Sequence, residues 1–113
     1  MPTVFVIGED WTLRTLVRAE LCEHGIEALG MASPDEAAQA IATGTVPSAV
    51  VLDATPLGGA AAALDFLPRS VPVLVVTSQG APAPAWAAAV LSKPVQVGEI
   101  VSRVETLLKG LAA

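Results

Sequence analysis

Four separated groups hold the polar chemistry of this chain. Asp53, within the stretch AVVLDATPLGG at 49–59, is the only charged residue between Glu36 and Asp65. Lys93 is the only charged residue between Arg69 and Glu99. Glu9 and Asp10 follow the apolar run TVFVI, and Thr77 and Ser78 follow VPVLVV. Each group therefore sits where an aliphatic run stops. Uncompensated charge in such surroundings is costly to desolvate, so the acids and the lysine are expected to pair. A purely structural ion pair is the plain alternative, and the hydroxyls beside the charges weigh against it. Acids, an ammonium and hydroxyls brought together make a crevice suited to a charged ligand.

The apolar runs have the composition of buried strands. They are Thr3–Ile7, Ala49–Leu52, Val71–Val76 and the weaker Val90–Ser92, and Ile26–Met31 can supply another. Helical spacing lies between them. Leu13, Leu16, Val17 and Leu21 form one apolar stripe, flanked by Arg14, Arg18, Glu20 and Glu23, and Gly25 stops it. Ser33-Pro34-Asp35-Glu36 reads as a helix start, with Ser33 as N-cap, Pro34 at the first position and Glu36 closing a capping box. That helix carries Ala37, Ala40 and Ile41 and ends near Gly44. Ile100, Val104, Leu107, Leu108 and Leu111 mark the last helix. An Ala-rich helix is expected at about 60–67, whereas Gly80–Ala89, with Pro82 and Pro84, leaves room for about one or two helical turns. Continuous apolar strands alternating with helices predict an α/β fold with a doubly wound parallel sheet. In such a sheet the strand ends line one edge, where ligands bind near the topological switch point. Asp53, Lys93, Glu9, Asp10 and Thr77 all fall on that edge.

The 113 residues fit one domain, 1–113, with one hydrophobic core. They are 53% hydrophobic but 4% aromatic, so Ala, Val and Leu must fill it. A net charge of −5 and the lack of any Lys/Arg run weigh against direct contact with nucleic acid. Cys22 is the single cysteine, so no internal disulfide forms and a reducing compartment is the easier setting. The start has no basic region before its short apolar run, and no apolar run reaches the ~20 residues of a membrane span. A soluble, cytoplasmic protein is expected. No P-loop or GxGxxG occurs, and Gly58-Gly59 is too little for a phosphate loop.

Taken together, Glu9/Asp10, Asp53, Thr77 and the pair Lys93-Pro94 resemble the receiver domain of two-component response regulators, the CheY-like superfamily. Order, strand-end placement and the Lys-Pro pair all agree, over the whole chain. The resemblance implies a flavodoxin-like (βα)5 fold with strand order 2-1-3-4-5. It implies that Asp53 is the phosphoacceptor for a phosphohistidine on a sensor histidine kinase. Glu9, Asp10, Asp53 and the backbone carbonyl of Thr55 would hold Mg²⁺, Thr77 would hydrogen-bond a phosphoryl oxygen, and Lys93 would pair with it. A downstream effector protein or output domain, and possible homodimerisation, come with the family. Beyond removing its own aspartyl phosphate, such a domain is not an enzyme.

The chain also departs from the family pattern. Aligned without a gap through Leu13 and Arg14, the two acidic positions fall on Gly8 and Glu9, with Asp10 one residue beyond. Sliding the register by one makes Glu9 and Asp10 the pair but shortens the link into the helix. Losing one carboxylate is expected to weaken Mg²⁺ by about a hundredfold, roughly 2.7 kcal/mol. The family's aromatic residue three positions before the lysine is Val90 here, and the fourth helix is short or irregular. A pseudo-receiver is therefore the alternative: an interaction or dimerisation module that no longer needs phosphorylation. A small phosphotransfer or hydrolytic enzyme on the same fold lacks the motifs it would need. His24 reads as a helix-terminal histidine, Cys22 as a structural thiol, Trp11 as a packing residue at the helix start, and Trp86 as a cover for the sheet edge or a partner anchor.

Overall fold

A computed structural model describes residues 2–54, 66–78 and 84–112. Its strands are β1 (Thr3–Ile7), β2 (Glu27–Met31), β3 (Ala49–Asp53), β4 (Val73–Thr77) and β5 (Ala89–Ser92). All pair in parallel in the order β2-β1-β3-β4-β5, the flavodoxin-like arrangement that was expected. Three helices lie among the described residues: α1 (Trp11–Glu23), α2 (Pro34–Ala42) and α3 (Val97–Ala112).

The central strands are apolar on both faces because helices cover both. Val4, Val6, Ala49, Val51, Leu74 and Val76 pack with Val17 and Leu21 of α1 and with Ile100 and Val104 of α3. The alternate residues, Phe5, Ile7, Val50, Leu52, Val73 and Val75, pack with Met31 and with Ala37 of α2. The two-residue period of each strand thus divides one apolar run between two cores.

Both α1 and α2 end in a glycine with positive φ, Gly25 at 76° and Gly44 at 102°. Beyond α1, Ile26 N–H donates to the Leu21 carbonyl and Gly25 N–H to that of Cys22. Thr45 to Ala40 and Gly44 to Ile41 repeat the pattern beyond α2. Each is a Schellman closure, which satisfies the orphan carbonyls of a helix end and needs a left-handed residue.

Some local expectations shift. Ser33 is the N-cap and Pro34 opens the helix as expected, but the serine side chain makes no capping bond. Glu36 instead accepts from Ala32 N–H at 2.7 Å, so the charged acceptor serves the residue before the cap. β4 begins at Val73 rather than at residue 71, because Pro72 has no N–H to give the ladder. It then runs on to Thr77, as β3 runs on to Asp53. The Ala-rich helix expected at 60–67 lies mostly outside the described residues, and Phe66 and Leu67 form a turn before Pro68. Of the segment 80–89, Pro84–Ala88 is a turn that feeds β5, with Ala88 N–H on the Val73 carbonyl at 2.9 Å.

Candidate functional site at the ends of the central strands

From β1 the chain passes to β2 on one side, then crosses over to β3 on the other. The carboxyl ends of β1 and β3 therefore flank the topological switch point, where α/β sheets form a crevice. Asp53 is the last residue of β3. Ile7 is in register with Leu52, so Gly8, the next residue along, comes against Asp53. A Cβ on Gly8 would lie 3.0 Å from the Asp53 Cβ and 3.8 Å from its Oδ2. Glycine permits this approach because it brings no side chain.

Asp53 keeps step with Ala49 and Val51, on the face covered by α1 and α3, and its side chain is 6% exposed. Lys93 follows β5, two strands away. Its ammonium reaches past the end of β4 to Asp53 Oδ2 at 3.1 Å. Its own N–H donates to the Thr77 carbonyl at 2.8 Å, which ties the β4 and β5 ends together. The Lys93–Pro94 peptide is cis. The two isolated charges of the sequence are thus one ion pair, with its carboxylate buried and its lysine partly exposed.

Thr77 is the buried last residue of β4. It is Val76 that registers with Asp53, so Thr77 stands one residue further along and keeps step with Val73 and Val75. Glu9 is exposed. Asp10 is the N-cap of α1, and its Oδ1 accepts from Thr12 N–H at 3.0 Å and Leu13 N–H at 3.2 Å. Thr55 lies outside the described residues. Among the described residues, no group of three His, Cys, Asp or Glu side chains is placed to hold a metal ion.

Arg14 also belongs to this crevice, and the sequence offered it only as a polar neighbour of the helix stripe. Its Nη1 donates to the Gly8 carbonyl, and it lines a cavity with Gly8, Asp10 and Asp53. Gly30 makes room for it, since a Cβ there would sit 3.3 Å from the arginine Cγ and Cδ. A glycine inside a strand is the signal of such a close approach.

The other candidates lie elsewhere. His24 caps the end of α1 between Glu20 at 3.5 Å and Glu105 at 3.2 Å. Its pKa is raised, chiefly by the hydrogen bond to Glu105 on α3. Cys22 is a free, exposed thiol. Trp11 is 66% exposed at the start of α1, and Trp86, 40% exposed, precedes β5 at the opposite end of the sheet from Asp53.

No protein-family model matches the chain, and no curated protein matches it. Solved structures do. The receiver domain of the Francisella response regulator 1452 superposes with a TM-score of 0.80 at 20% identity, covering 98% of this chain and 99% of that one. A response regulator receiver protein from Burkholderia phymatum gives 0.78 at 25% identity, with 96% of each chain covered. NtrX from Brucella abortus, in complex with ADP, gives 0.80 at 24% identity, over 96% of this chain but 26% of that longer one. The fold is that of response regulator receiver domains.

Proposed function

We propose that the chain is a phosphoacceptor in a two-component relay, with Asp53 taking a phosphoryl group from a phosphohistidine of a sensor histidine kinase. The observation that supports this best is the Lys93 ammonium set 3.1 Å from a buried carboxylate at the switch point of the sheet. An Asp53 oxygen forms the new bond to phosphorus while the bond from phosphorus to the imidazole nitrogen breaks. The electron pair stays with the imidazole, and the product is an aspartyl phosphate. The added charge, roughly −1.5 to −2, is met by Lys93. Thr77, at the end of the neighbouring strand, follows a phosphoryl oxygen inward and moves the β4 end with it. That shift is the signal passed to an effector protein or output domain. Transfer of this kind depends on positioning and charge rather than on further covalent chemistry.

The Mg²⁺ that the receiver resemblance brings would have Glu9, Asp53 and the Thr55 carbonyl as ligands. The described donors do not fit a tight site, because Gly8 offers no carboxylate and Asp10 is engaged at the helix end. No step above is routed through the metal. Among the described residues no helix is long and apolar enough to cross a membrane, and a kinase-linked relay places the domain in the cytoplasm.

The test is incubation with acetyl phosphate followed by intact-mass measurement. One phosphoryl adduct is expected, absent from Asp53→Asn. An adduct that survives this substitution would remove Asp53 from the role. Gly8 favours a second reading, a pseudo-receiver that binds partners without phosphorylation. It gains if no adduct forms and Asp53→Asn leaves partner binding unchanged.

A further inference from the structure

We infer that the Asp53 crevice carries its own counter-charge and is not a divalent-cation site, and that Gly8 and Lys93 make it so. This deepens the phosphoacceptor proposal and rests on it for the role of Asp53 in transfer.

Four observations converge. A hard cation held by protein oxygens needs an anionic cradle, and the position facing Asp53 across the strands is Gly8. With a Cβ there only 3.0 Å from the Asp53 Cβ, the backbones stand too close to seat a second carboxylate without moving apart. Of the two acids that follow Gly8, Glu9 is exposed and Asp10 gives Oδ1 to two helix amides. One carboxylate oxygen of Asp53, Oδ2, is already met by the Lys93 ammonium at 3.1 Å. Arg14, bound to the Gly8 carbonyl, adds a second fixed positive charge to the same wall.

The test measures cation binding directly. Mn²⁺ is titrated by electron paramagnetic resonance, and Mg²⁺ by tryptophan fluorescence, on the wild type, Lys93→Gln, Gly8→Asp and Asp53→Asn. The wild type is expected not to saturate below roughly 1 mM, the weak limit of built oxygen-ligand sites. Lys93→Gln removes the repelling charge and should bind Mn²⁺ at least about tenfold more tightly. Gly8→Asp should also tighten binding where its melting curve shows it folded, and Lys93→Gln decides the matter where it does not. Saturation of the wild type below that limit, lost in Asp53→Asn, would overturn the inference. So would unchanged Mn²⁺ affinity in Lys93→Gln.

A second arm follows the acetyl phosphate adduct in EDTA and in Mg²⁺. The rate should fall by less than about tenfold in EDTA. Strict dependence on Mg²⁺ refutes the inference. Absence of the adduct in both buffers refutes the phosphoacceptor proposal instead, and the titrations still decide whether the crevice holds a cation.

Discussion

Asp53 and Lys93 were legible as a pair because each stands alone in a long uncharged stretch, and an isolated charge at the end of an apolar run needs an answer. Asp10 was not legible in the same way. A carboxylate before a helix can ligate a metal or accept helix amides, and the sequence reads the same for both until the backbone is known. The pair makes a measurable claim about stability. Lys93→Met leaves the Asp53 carboxylate buried without its ammonium, yet the lysine is 32% exposed, which tempers the loss. The cost should be about 1–3 kcal/mol, below the ~3–5 of a fully buried pair. Adding Asp53→Asn should recover part of it, since no charge is then stranded. Urea unfolding of the two single variants and the double variant measures the coupling, and strictly additive costs would show that the contact contributes nothing.

Elements show the same division between what local pattern decides and what neighbours decide. Glycine stops were readable, since Gly25 and Gly44 follow apolar stripes and only a left-handed residue closes a helix in this way. The Ser33 cap position was readable too, but its bond was not, because Ser33 and Glu36 both offer acceptors and it is Glu36 that takes a backbone amide, that of Ala32. Arg14 lying over Gly30 joins α1 to β2, a contact that no periodicity reports. His24 gives a similar join, from the end of α1 to Glu105 on α3. Its folded pKa is raised above the usual 6.5, so the protonated ring favours the folded state. That contribution is full below the unfolded value of about 6.5 and is lost as pH rises through the folded one. Relative to wild type, His24→Gln should therefore lower the urea midpoint at about pH 5.5 and differ little at about pH 8.5. An equal difference at both pH values would mean that charge on the ring plays no part in holding α1 to α3.

At the scale of the molecule, the doubly wound class was readable, the strand order came only with the family resemblance, and the coverage of each strand came with neither. Alternating strand and helix patterns led to a doubly wound sheet, and its edge placement of the isolated charges followed from that. How well each strand is covered depends on helices packing from both sides, which single-chain periodicity does not measure. All five residues of β3 and of β4 are buried, while those of β5 are half-buried or exposed. Lys93 hangs from the end of β5, so one partner of the ion pair follows a strand with no buried residue while the other ends a strand buried throughout. Local opening free energy follows such coverage. Amides of Val51, Leu52 and Val75 should exchange with deuterium only through global unfolding, and those of Leu91 and Lys93 through a smaller local opening. Phe5→Ala supplies the control. Phe5 is fully buried, and its loss should cost about 3–5 kcal/mol of a total near 5–15. Exchange at β3 and β4 should accelerate by the whole of that amount, and exchange at the β5 end by little. Acceleration of both sets by the same factor would mean that the ion pair joins β5 to the central strands as a single cooperative unit, which would overturn this expectation of a separately mobile site edge.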